Sequence, residues 1–97
     1  MAASGEPHAL ALQPGSLRTL LYAPRGTDHQ SPHKRDEIYI VAQGAAGFRR
    51  GDERRNVTAG DMLFVPAGMT HRFEAMSDDF ACWVIFWGPD GGEPRER

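Results

Sequence analysis

Cysteine, long apolar runs and net charge are all scarce in this chain, and each shortage removes a class of protein. Cys82 is the only cysteine among 97 residues, so no intramolecular disulfide can staple the fold and the core must hold by packing. No stretch reaches the ~18 consecutive apolar residues that a membrane-spanning helix requires. The N-terminus also lacks a positively charged region ahead of an apolar one, so the expected setting is cytoplasmic, with no membrane partner. Eleven Lys and Arg stand against thirteen Asp and Glu, a formal charge of −2. That balance gives no overall drive toward DNA, RNA or anionic lipid, and nucleic acid is not an expected partner. The length leaves room for one core.

Uninterrupted segments of helical length are scarce too. Eleven Gly and seven Pro break the chain into short runs rich in β-branched, aromatic and aliphatic residues: Leu17–Ala23, Glu37–Ala42, Ala45–Arg50, Glu53–Thr58, Met62–Val65, Arg72–Ala75 and Phe80–Trp87. Short strands separated by turn signals, with no helical pattern between them, predict an all-β sandwich or barrel. His8–Leu12 adds a short edge strand. Gly51-Asp52 sits between two charged arms and reads as a hairpin tip, because Gly supplies the positive φ of a tight reversal. Met62–Val65 and Phe80–Trp87 are apolar at both parities, the pattern of strands covered on both faces. One domain is expected over residues 8–89, with mobile segments at 1–7 and 90–97.

Chemistry-bearing side chains cluster in the middle of the chain. His29, His33 and His71, with Glu37, offer imidazole nitrogens and a carboxylate, donors that suit Fe, Mn, Ni or Zn and that can leave coordination positions open. Taken alone, a His-x-x-x-Glu pattern more often marks exposed surface residues than ligands. Its spacing also carries a geometric demand. On a straight strand His33 and Glu37 would lie about 13 Å apart at roughly 3.3 Å per residue, too far to share an ion with bonds near ~2.1 Å. If both bind one ion, the chain must bend through Lys34-Arg35-Asp36.

Two motifs in this region resemble those of the cupins. Ser31-Pro32-His33-Lys34-Arg35-Asp36-Glu37, followed by Gly44, is similar to the first cupin motif, a His-x-His pair ahead of a Glu that ends in Gly. Gly60-Asp61-Met62-Leu63-Phe64-Val65-Pro66-Ala67-Gly68-Met69-Thr70-His71 matches every fixed position of the second. The second motif also makes local sense. Gly60 turns the chain into a strand, Pro66-Ala67-Gly68 reverses it, and His71 then opens the next strand in a fixed orientation.

The resemblance, to a small single-domain cupin of the type 2 conserved barrel kind, implies an all-β jelly-roll, or double-stranded β-helix, barrel with a divalent metal ion inside. It implies His33, Glu37 and His71 as metal ligands. The motif's first His falls at Ser31, so the site has three protein ligands or a substitute from elsewhere, and His29 has the right strand parity to be that substitute. Glu37 and Tyr39 are the candidate proton-handling groups. Ser31, Tyr39, Met62, Phe64 and Phe73 are the candidate lining of a largely apolar ligand pocket. The implied functions are a metal-dependent enzyme acting on a small organic molecule, a dioxygenase or isomerase among the options, or a non-catalytic ligand-binding module with a degenerate or absent metal site. The doubly apolar strand Phe80–Trp87 adds the expectation of a homodimer.

Overall fold

The computed structural model describes residues 8–12, 14–28 and 32–94; the segment 1–7, expected to be mobile, lies outside them. Among the described residues there is no helix. Eight strands run in chain order: β1 His8–Leu12, β2 Arg18–Tyr22, β3 Asp36–Gln43, β4 Ala45–Arg50, β5 Glu53–Thr58, β6 Met62–Val65, β7 His71–Glu74 and β8 Ala81–Trp87. They form a five-stranded sheet in the order β1-β2-β8-β3-β6 and a three-stranded sheet in the order β5-β4-β7. Every pairing is antiparallel. The fold is all-β, and two facing antiparallel sheets are consistent with a jelly-roll barrel.

Strand alternation sets what lies between the sheets. Leu20, Val84, Tyr39 and Leu63 are register partners across the larger sheet and all are buried. They meet Phe48 and Phe73 of the smaller sheet, the Tyr39 ring lying edge-on to both at 5.9 and 5.0 Å. Burying apolar side chains at about 25 cal/mol per Å² is the main stabilising term here, since no disulfide contributes. Opposite parity puts Ile38, Ile40, Trp83 and Met62 on the outer face, where Met62 is 65% and Trp83 40% exposed. Among the described residues, β6 and β8 are thus fully covered on one side only.

Two glycines explain local geometry. Gly51 takes φ 57 at the β4–β5 reversal, as a two-residue hairpin tip requires. Gly44, which closes the first motif, takes φ 80, and a Cβ there would lie 2.8 Å from the Phe80 backbone.

Buried carboxylates fasten the loops. Asp28 accepts the Tyr22 hydroxyl at 2.5 Å and the Phe73 amide at 2.8 Å, tying the larger sheet to the smaller. Asp36, fully buried, accepts the Ala67 amide on one oxygen and the Glu93 amide on the other, both at 3.0 Å. The Gly91 amide donates to the Lys34 carbonyl at 2.6 Å. Gly91 and Glu93, which composition alone assigns to a mobile tail, are therefore hydrogen-bonded to Lys34 and to Asp36 at the start of β3.

Candidate metal centre

Three side chains from three places in the chain meet at one end of the barrel. Glu37 is the second residue of β3, and strand parity turns it inward from a position between Val65 on β6 and Phe86 on β8. His71 is the first residue of β7, on the facing sheet. His33 precedes β3, and the bend at Lys34 and Arg35 brings its Nδ1 to 3.0 Å from Glu37 Oε1. The chain therefore makes the turn that the spacing demands. His71 Nε2 lies 3.1 Å from the same oxygen.

The surroundings hold each group in place. The His33 carbonyl accepts the Gly68 amide at 2.7 Å, joining its loop to the Pro66-Ala67-Gly68 reversal, and its ring packs edge-on against Phe86 at 4.9 Å. His71 Nδ1 lies 2.9 Å from the Met69 carbonyl. A carbonyl can only accept, so Nδ1 carries a proton, and in the neutral ring Nε2 keeps its lone pair directed into the cluster. The Tyr39 hydroxyl stands 3.0 Å from that nitrogen. Glu37 and His71 are buried, whereas the His33 side chain is 35% exposed and forms the solvent side of the group.

Electrostatics links the three. Burial pushes the Glu37 carboxyl up, but hydrogen bonds from His33 and His71 and the charge of both rings outweigh it and hold the group below the ordinary carboxylate value. For His71 burial pulls the imidazole down, while the Glu37 hydrogen bond, the Met69 carbonyl and the charges of Glu37 and Asp28 raise it above the ordinary value. Each group thus favours the charged form of the other when no other cation is near.

The donor set fits a divalent ion. One ligand atom from each of His33, Glu37 and His71 lies within 4.8 Å of the others. The 3.0 and 3.1 Å separations about Glu37 Oε1 match the ~3.0 Å between neighbouring ligands of an octahedral ion with bonds of about 2.1 Å. Glu37 Oε2 is buried without a hydrogen-bond partner, an arrangement costly for a carboxylate oxygen unless a cation satisfies it.

The remaining candidates fall in different places. Tyr39 and Phe73 are in the core beside the cluster. Met62 and Phe64 are not: Phe64 is 39% exposed, and Leu63 and Val65 take the inner face in their place. Both parities of β6 are apolar, so alternation alone could not say which pair turns inward. His29 and Ser31 lie outside the described residues. Sequence reasoning passed over Asp36 and Asp28, which fix the loops around the site. The visible signal for Asp36 was an Asp-Glu pair opening an apolar strand, one carboxylate for each face. Cys82 is fully buried, and burial pushes its thiol far up, which suits a small core residue rather than a nucleophile.

Residues 18–87 match the family described as the Cupin domain. An uncharacterised protein of Streptomyces coelicolor is 41% identical over 64 residues, covering 66% of this chain and 61% of that protein. The MmsAB operon regulatory protein of Pseudomonas aeruginosa is 34% identical over 70 residues, covering 65% of this chain and 22% of that one. The chain thus spans less than two thirds of either relative. The crystal structure of the DMSP lyase DddQ of Ruegeria pomeroyi superposes with a TM-score of 0.73 at 24% identity, over 91% of this chain and 51% of that one, a likeness of fold.

Proposed function

The chain belongs to the cupin family, and from that premise we propose that its barrel, residues 8–89, binds a divalent metal ion through His33, Glu37 and His71 and acts on or captures a small organic molecule beside it. The observation that carries this reading is the buried, unpartnered Glu37 Oε2 within a cluster of three potential ligands. Fe, Mn, Ni and Zn all suit two imidazoles and a carboxylate. His29 is the candidate fourth ligand in place of the motif His that Ser31 replaces. A divalent ion held here would supply Lewis-acid polarisation of a bound oxygen. The chain's own residues do the rest: Met69 fixes the His71 tautomer, Phe48 and Phe73 exclude water, and Tyr39 presents a hydroxyl that can orient a ligand or exchange a proton.

Elemental analysis of purified wild type, His33→Ala and His71→Ala tests the proposal. One transition metal per chain in wild type and background levels in both variants is the expected result. No metal in wild type expressed in metal-supplemented medium would sink the ligand assignment.

A second reading, a non-catalytic ligand-binding module, is favoured by the operon regulatory protein among the relatives. Tyr39, a titratable hydroxyl beside the ligands, favours the enzyme. The outer apolar face of β6 and β8 supports a homodimer. The lone buried thiol suits a reducing, cytoplasmic setting.

A further inference from the structure

The row of side chains that carries Glu37 holds a second polar group. Arg18 on β2 pairs with Phe86 on β8, and Phe86 pairs with Glu37 on β3. The three stand in one line across the larger sheet. Residues two apart on a strand share a face, and Leu20, which is in the core, marks the face of Arg18 as the inner one. At ~4.8 Å per strand the Arg18 and Glu37 backbones lie roughly 10 Å apart. A guanidinium on the interior face of an apolar barrel needs an acceptor, yet Arg18 Nε is buried without a hydrogen-bond partner.

The surroundings of Arg18 point to what that acceptor is. A depression of about 150 Å³ is lined by Arg18, His33, Lys34, Arg35, Phe86 and Asp90. It reaches the three-residue cluster at His33, the exposed member. Three cations border it against one carboxylate, in a chain whose formal charge is −2. Among the described residues no ion pair engages Arg18, Lys34 or Arg35. Arg35 is fixed by donating to the Ser16 carbonyl, and its guanidinium lies 5.8 Å from the centre of the Phe86 ring. On the smaller sheet, by contrast, Arg50 is already committed to Glu53 and the Phe64 carbonyl.

We propose that this depression takes a small organic carboxylate, its acid group on the Arg18 guanidinium and its carbon skeleton against Phe86, with the far end directed to His33, Glu37 and His71. The inference rests on the metal-site reading for what happens at that far end and adds the substrate class. A planar guanidinium matches a carboxylate in two parallel hydrogen bonds, which a neutral amide cannot return. Lys34 and Arg35 add attraction for an anion, opposed by the single carboxylate of Asp90.

The test uses the full chain, zinc-loaded and chelator-stripped, titrated at constant ionic strength with benzoate and succinate and with the neutral benzamide and succinamide. The Arg18 Nε–H resonance is followed by NMR. At least one acid shifts that resonance saturably while its amide leaves it in place. Arg18→Gln weakens binding of that acid tenfold or more, and Arg18→Lys, which keeps the charge, weakens it less. An unmoved resonance with both acids, equal response to acid and amide, or unchanged affinity in Arg18→Gln overturns the proposal. Should Arg18→Gln fail to fold, the wild-type resonance decides. If zinc does not bind but the acid still titrates Arg18, the metal reading fails and the anion site stands; zinc bound with Arg18 silent overturns the anion site alone.

Discussion

Glu37 Oε1 serves two imidazoles while Oε2 serves none, so the consequences of altering this residue depend on what cation is present. In metal-free protein Glu37 is held below its ordinary value of 4.5 and His71 above its ordinary 6.5. The depressed carboxyl contributes stability above pH 4.5 that is lost as pH falls through its folded value. The raised imidazole contributes below pH 6.5 and is lost as pH rises through its folded value. Denaturation midpoints of chelator-treated protein should therefore be highest between pH 4.5 and 6.5, and Glu37→Gln should flatten that profile. Metal binding runs the other way, strengthening as pH rises through the His71 value, because a ligating imidazole must shed its proton. Tyr39→Phe removes one buried hydroxyl contact with His71. It should cost about 1 kcal/mol in urea unfolding and leave the metal content unchanged; loss of the metal would contradict a merely orienting role. At this scale the sequence was informative about identity and silent about partners. His33, Glu37 and His71 stood out by type and spacing, whereas the Met69 carbonyl that sets the His71 tautomer is a backbone atom that no side-chain pattern reveals.

Strands were legible almost to the residue where one parity is polar, because alternation then states both the element and its inner face. β6 shows the limit: Met62-Leu63-Phe64-Val65 is plainly a strand, yet its apolar outer face removed the signal that would have chosen Leu63 and Val65 as the inner pair. The loops were less legible still, since Asp36 fastens the 66–68 reversal and residue 93 through contacts far apart in sequence. Asp36→Ala leaves two amides without their acceptor and should cost about 3 kcal/mol, with a parallel fall in metal affinity as the His33 loop loosens. Denaturation and metal titration on the same sample check both. Gly44 is a sharper case. At φ 80, with Ser77 Oγ 2.5 Å and the Phe80 backbone 2.8 Å from any added Cβ, Gly44→Ala should destabilise by roughly 2 kcal/mol. A stability equal to wild type would show that the 77–80 turn yields freely.

Across the whole molecule, two sheets enclose one core and leave the outer side of the larger sheet apolar. Trp83 lies between Ile40 and Leu21 in register, and Met62 pairs with Ile40, so a continuous surface awaits cover. If a second copy supplies it, Trp83→Glu should shift light scattering from dimer to monomer while leaving the metal content intact, because Trp83 points away from the cluster. Inside the barrel, metal binding is read most directly by a zinc titration into chelator-stripped protein, followed through the imidazole nitrogens by long-range 1H–15N correlation. One equivalent should move the His33 and His71 resonances together, with His71 ligating through Nε2 and keeping its Nδ1–H toward Met69. Imidazole resonances unmoved at stoichiometric zinc, or His71 ligating through Nδ1, would contradict the ligand assignment.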